Sequence, residues 1–299
     1  MSAFSDPSAP SAAGALATLA LPDTTIAYQR AGQGAPVLVF VHGALCDHAD
    51  WRFQVPHFAA RHTVIAPDLH GHGRSDPRPG RIRVECFAQD VLGLCTALGF
   101  ERVVLIGHSM GCRVLLQCWA LAPERIAGLV FVDGAYLVPD LLGDVDAAER
   151  ARLAEANRAR NAAAYADVSP AERARHGFAQ MFYDPRYAPL RDAIVARAAG
   201  LPPHVARELM PGFAAWDVLH LEPLLASVRA PMLVFASTYM SERRERVSLA
   251  PGVMTPWLRA VAQHAPHARV VRYHGWGHFP MLEQPDVVNA EIGTFLAAL

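Results

Sequence analysis

The stretch from residue 102 to residue 121 constrains this chain more than any other. Residues 102–106 form a short apolar run of the kind that becomes a strand covered on both faces. Residues 110–121 read as an apolar helix, and between the two stands Gly107-His108-Ser109-Met110-Gly111. A strand that turns into a helix over so few residues needs a tight backbone, and glycines on either side of the serine leave room for it. The turn pushes the serine hydroxyl outward, beside a helix N-terminus whose dipole favours negative charge. An ordinary alcohol is prepared in this way to act as a nucleophile.

The same strand-then-helix rhythm runs through most of the sequence. Residues 16–21 and 24–30 read as strands joined by a Pro22-Asp23 turn, followed by an apolar strand at 37–41. A helix over 49–60, interrupted at Pro56, leads to a strand at 63–66. A helix over 84–98 then places Val84, Phe87, Val91, Leu94, Cys95 and Leu98 on one face, with Gly99 as its C-cap. A buried strand at 128–132 follows the helix after Ser109. Such alternation predicts a mostly parallel sheet with helices on both faces. Between residues 136 and 225 the rhythm breaks. That stretch is rich in Ala and Arg, with helices expected at 146–164 and 189–199 and no clear buried strand. Alternation resumes with a strand at 231–236, a helix at 256–264, a strand at 268–273 and a last helix at 285–298. The expected organisation is therefore a disordered tail at 1–15, a core from 16–136 and 226–299, and a helical cap at 137–225 over the carboxyl edge of the sheet.

Composition narrows the chemistry. With 52% hydrophobic and 18% charged residues, the chain can bury a sizeable core, and a formal net charge of −1 gives no field for nucleic acid or an anionic membrane. All 27 basic residues are arginine. The lack of lysine excludes a Schiff-base lysine, a P-loop lysine and a Ser-Lys dyad. The five cysteines, Cys46, Cys86, Cys95, Cys112 and Cys118, show no C-x-x-C spacing and read as buried thiols. The Ser-, Ala- and Pro-rich N-terminus lacks the basic and apolar blocks of a signal peptide, and no apolar run reaches membrane-spanning length. A cytoplasmic location is expected, with a monomer or homodimer, no nucleic-acid partner and no membrane partner.

Four further pieces agree with the serine turn. His42-Gly43-Ala44 follows a buried strand, so the Ala44 amide can join that of Met110 as donors to a developing oxyanion. Asp68-Leu69-His70-Gly71-His72-Gly73-Arg74-Ser75 follows the next strand as a glycine-rich turn. Its His70 and His72 read as loop-shaping residues, because no further cluster of metal ligands accompanies them. Gly275-Trp276-Gly277-His278-Phe279 sets a histidine just before the closing helix, and carboxylates lie between the serine and that histidine.

With these motifs in order, the chain from about residue 16 onward resembles the α/β-hydrolase fold superfamily. The resemblance implies a mostly parallel, doubly wound α/β sheet with a helical cap insertion. It also implies a nucleophile, acid and histidine in that chain order, with Ser109 first and His278 last. Many relatives carry the acid on a Gly-x-x-Asp turn after the strand that here reads Met232-Leu233-Val234-Phe235, but the next residues are Ala236-Ser237-Thr238-Tyr239, with no carboxylate. Asp133, ending the strand after the nucleophile helix, is the leading substitute, in the place where haloalkane dehalogenases are similar in carrying theirs. It either orients the imidazole or merely caps loop backbone, and the catalytic reading is preferred. Glu242 is the second choice and Asp217 the third. His42, His108, Met181, Phe182 and Trp216 are candidates for the substrate pocket. For His42 and His108 a local anchoring role competes with that reading, and for the cap residues core packing does.

The expected reaction is hydrolysis of a small carboxylic ester or lactone through an acyl-enzyme, with no metal and no organic cofactor. The same residues would also serve a C–C bond hydrolase or a perhydrolase. A slow-turnover ligand sensor on a hydrolase scaffold, as the strigolactone receptors are, is the alternative of a different class. A serine in the elbow argues against epoxide or haloalkane chemistry, which use an aspartate there.

Overall fold

The computed structural model describes residues 14–134, 141–164, 169–241 and 245–299. The chain begins with strands β1 (Ala15–Leu21), β2 (Thr24–Ala31) and β3 (Val37–Val41), then helix α1 (Gln54–Ala59) and strand β4 (Val64–Pro67). Helix α2 (Val84–Ala97), strand β5 (Val103–His108), helix α3 (Met110–Leu121) and strand β6 (Ile126–Val132) follow. After α4 (Ala147–Ala164), α5 (Pro170–Ala179), α6 (Ala188–Ala199), α7 (Pro203–Trp216) and α8 (Glu222–Ser227) comes strand β7 (Met232–Ala236). A short hairpin, β8 (Thr238–Met240) with β9 (Arg246–Ser248), precedes α9 (Pro256–His264), β10 (Arg269–Arg272), α10 (Pro280–Glu283) and α11 (Pro285–Ala297).

One sheet runs in the order β1-β2-β4-β3-β5-β6-β7-β10. The β4-β3-β5-β6-β7-β10 pairs are parallel, while β2 lies antiparallel to both of its neighbours. Period-two geometry divides each central strand between two cores. Val39, Val41, Leu105, Leu129 and Val234 face the layer made by α2, α3 and α9, whereas Leu38, Phe40, Val104, Ile106, Val130 and Leu233 face α1 and α11. Burial on both faces explains why these strands read as unbroken apolar runs.

The expected helix over 49–60 is two pieces, a 3-10 turn at His48–Trp51 and α1, with Pro56 in the first turn of α1. A first-turn amide has no helical acceptor, so the proline costs no hydrogen bond there. Ala15 belongs to β1 rather than to a tail. Residues 1–13, and the expected cap boundary at 136–137, lie outside the described residues. The far boundary at 225 falls inside α8, which leads on from α7 through a π-helical stretch, Asp217–Leu221. Helices α5 and α7 and the β8–β9 hairpin were not expected from the sequence. A capping box does open α5, with Ser169 and Glu172 exchanging hydrogen bonds, and α7 contains Pro211.

Within the inserted helices α4 packs on α7, and α5 on α6. Two arginines, one buried and one half-buried, fasten them to the sheet layer through ion pairs. Arg113 of α3 makes a bidentate pair with Asp217 (Nε–Oδ1 and Nη2–Oδ2, both 2.7 Å), and Arg197 of α6 pairs with Asp47 at 2.9 Å and with Asp50. All five cysteines are buried and unpaired. No described helix is long and apolar enough to cross a membrane.

Candidate active site

Ser109 sits between β5 and α3 with φ 52° and ψ −108°, a left-handed conformation that costs a non-glycine residue energy. Its amide donates to the carbonyl of Val132 at 3.0 Å, which ties the turn to the end of β6. A side chain at Gly107 would put Cβ 2.7 Å from the carbonyl carbon of Gly111, and one at Gly111 would fall 2.3 Å from the carbonyl oxygen of Val41. The two glycines therefore admit close backbone approach, as the sequence suggests.

The loop after β3 passes directly beside this turn. A Cβ on Gly43 would stand 2.7 Å from His108 Nδ1 and 3.4 Å from Ser109 Cβ. Leu45 takes φ 60°, and its amide donates to His72 Nε2 at 3.2 Å. His42 Nε2 accepts from the Leu69 amide at 2.9 Å, so its Nδ1 carries the proton donated to the Gly43 carbonyl at 2.7 Å. His70 bonds Thr24 Oγ1 at 2.8 Å and the Arg78 carbonyl at 2.7 Å. These histidines shape backbone, and burial lowers the pKa of His42 and takes that of His72 to about 3, with His42 adding to the latter. Neither the Ala44 amide nor the Met110 amide donates a hydrogen bond to a described residue.

Asp133 ends β6 with φ 47° and is fully buried. Its Oδ1 accepts from the amides of Ser237 (2.7 Å) and Thr238 (2.9 Å), and its Oδ2 from Thr238 Oγ1 (2.5 Å) and His278 Nδ1 (2.6 Å). The carboxylate thus caps the backbone after β7 and bonds the imidazole at once. Burial works against its charge, but the hydrogen bond and charge of His278, then Arg246, keep its pKa below the usual carboxylate value.

The loop bearing His278 is held from three sides. The His278 amide donates to the Met181 carbonyl at 2.8 Å, and the His278 carbonyl accepts from His108 Nε2 at 2.7 Å. Glu283 accepts from the amides on either side, Gly277 at 2.9 Å and Phe279 at 3.4 Å. Burial raises the Glu283 pKa to about 7 against these two bonds. Burial, then Arg246, lowers that of His278 to about 4 despite Asp133. Ser109 Oγ makes no hydrogen bond to His278 among the described residues. Such contacts are commonly long without substrate and tighten when it binds.

The other candidates fare differently. Glu242 lies outside the described residues. Asp217 bonds Arg113, and the carboxylate on His278 is that of Asp133. His42 and His108 are 0% and 1% exposed, and each bonds a backbone carbonyl, as the anchoring reading of both expects. Trp216 is buried in the core and donates to Gln117 Oε1 at 3.1 Å, and Phe182 stacks on Phe279 at 5.0 Å. For these two, packing is what the structure displays. Met181 meets the site through its backbone carbonyl. Sequence reasoning missed Thr238, Arg246 and Glu283. For Thr238 there was a signal: hydroxyl residues stand where the usual acid turn would be.

The sheet order, the serine turn and the histidine loop agree with a match between residues 38–291 and the model of the alpha/beta hydrolase family. The chain belongs to the alpha/beta hydrolase family. Among solved structures, this member is similar to a hydrolase from Pseudomonas aeruginosa PA01, at 24% identity and a TM-score of 0.73, covering 94% of this chain and 98% of that one. A thermophilic esterase from Thermogutta terrifontis, solved with malate bound, aligns at 27% identity and a TM-score of 0.71, covering 95% and 97% of the two chains. The acetoin-cleaving-system dihydrolipoyllysine-residue acetyltransferase component of Pseudomonas putida is 39% identical over 110 residues, 37% of this chain and 30% of that protein. The chain thus spans less than a third of the length of that relative.

Proposed function

We propose that this alpha/beta hydrolase cleaves a small carboxylic ester or lactone through an acyl-enzyme. Ser109 attacks the carbonyl carbon while His278 Nε2 takes the hydroxyl proton. The tetrahedral oxyanion lies against the amides of Ala44 and Met110. As the intermediate collapses, His278 returns the proton to the departing oxygen. Water then attacks the acyl carbon with the roles of His278 repeated, and the acid is released. Asp133 holds the proton on Nδ1, leaves Nε2 as the base and stabilises the imidazolium.

The observation that carries this reading is the 2.6 Å bond between Asp133 Oδ2 and His278 Nδ1, together with a serine held at φ 52° in the turn between β5 and α3. The likeness to an esterase at 27% identity over nearly the whole chain supports it. Turnover of p-nitrophenyl acetate and of a panel of lactones by the purified protein tests it. Ser109→Ala should abolish burst and steady state alike while circular dichroism stays unchanged. Turnover that survives in a folded Ser109→Ala protein would overturn the assignment.

A further inference from the structure

Beside the Asp133–His278 pair lies a cation that the proposed reaction does not use. Arg246 opens β9, and its backbone is tied to the inserted helical region. Its amide donates to Gln180 Oε1, and its carbonyl accepts from Tyr183 Oη, both at 3.0 Å. The half-buried side chain turns inward. Nη1 donates to Thr238 Oγ1 at 2.9 Å and stands 3.1 Å from His278 Nδ1, while Nε is buried with no partner. No carboxylate among the described residues pairs with this guanidinium, whereas the nearby Arg113 has Asp217.

Two consequences follow from these distances. The Thr238 hydroxyl has one proton. Accepting from Arg246, it must give that proton to Asp133 Oδ2, so the guanidinium fixes the rotor and completes the four donors around Asp133. His278 Nδ1 directs its own proton at Asp133 and cannot also accept from Arg246. The 3.1 Å contact is therefore donor beside donor. Such a contact is tolerable against a neutral ring and repulsive against an imidazolium.

We propose that Arg246 is a positioning residue that locks Thr238 onto Asp133 and opposes protonation of His278, so that the base stays available in acid. Other groups face the ring. Asp133 from β6 attracts a proton, and Arg113 from α3 repels one but is paired with Asp217. His108 from β5 is kept neutral by burial. Glu283 from α10 lies on the neighbouring amides, and the Tyr183 phenol, beside Arg246, is held uncharged by burial. Among the described residues, Arg246 is thus the cation near His278 that lacks a carboxylate of its own.

The inference rests on the proposed role of His278 only for its kinetic consequence, because the opposition itself is measurable without turnover. Histidine-labelled protein is titrated by NMR, with His278→Asn used to assign the His278 signals. The wild-type ring should keep neutral shifts to the lowest pH at which the fold persists. In Arg246→Gln the midpoint should rise by about one unit or more, and Arg246→Lys should retain most of the wild-type behaviour. Should the glutamine variant fail to fold, Arg246→Met keeps the aliphatic stem without the charge. If an ester is turned over, the acid limb of kcat/KM should move up in step. A midpoint unmoved by loss of the charge, or raised equally by Gln and Lys, would overturn the proposal. Absence of ester turnover would count against the hydrolase reading alone.

Discussion

Three non-glycine residues of the described chain adopt positive φ: Leu45, Ser109 and Asp133. They lie on the loop of the proposed oxyanion donor, at the proposed nucleophile and at the proposed acid. Strained backbone of this kind persists only where surrounding structure over-determines it, and such positions concentrate at functional sites. At Asp133 the strain aims one carboxylate at two tasks. An asparagine there would still cap the amides of Ser237 and Thr238 through Oδ1. It would, however, present an N–H where His278 Nδ1 now finds an acceptor, which forces the proton onto Nε2 and removes the base. Asp133→Asn should therefore lower kcat for the best ester substrate by roughly 10⁴-fold with little change in melting temperature. A loss below tenfold would move the acid elsewhere, and Glu242→Gln would be the variant to measure next.

Between elements, the fold depends on a few polar seams. Arg113 is 4% and Asp217 0% exposed, so removing one partner strands the other charge in the core. Arg113→Met alone should destabilise the protein by about 3–5 kcal/mol in urea unfolding, and Asp217→Leu added to it should recover much of that loss. Gly277 marks another seam. A Cβ there would fall 2.3 Å from both Glu283 Oε1 and the Met181 carbonyl. Gly277→Ala should displace the His278 loop and depress kcat at least tenfold, an outcome that steady-state kinetics would read directly. Much of this architecture was legible in advance. Strands buried on both faces announce themselves as unbroken apolar runs, and the Ser109 turn and His278 loop are local motifs. The order of strands and the break in their rhythm showed where helices intrude. Some of what escaped notice had no local signature. The β8–β9 hairpin has three-residue strands, too short for a period to register. Arg246, in a chain with 27 arginines, looks like any other until the fold sets it against His278. For His42 and His108 the sequence offered both a pocket and an anchoring role, and nothing in it names the backbone carbonyls that the two rings bond, those of Gly43 and His278.

For the molecule as a whole, buried imidazoles govern its response to acid. Burial is the leading cause that lowers the pKa of His42, His108, His72 (to about 3) and His278 (to about 4). Each stays neutral in the folded chain at a pH where the unfolded chain takes up a proton. Their contribution is complete above about pH 6.5 and is lost as the pH falls toward the folded values, at roughly 1.4 kcal/mol per pH unit for each proton. His48, Glu283 (raised to about 7), Asp50 and Asp90, whose pKa values are raised, act in the opposite direction, against the lowered histidines, of which His220 is a fifth. The thermal midpoint should therefore drop between pH 7 and pH 5, and a midpoint that climbs on acidification would contradict this. One contact described above reaches further. The amide of His278 finds its acceptor in Met181, a residue on the chain between α5 and α6. The placement of the proposed base therefore depends on the inserted region as well as on the sheet, and any substitution that shifts the Met181 carbonyl should be felt at His278.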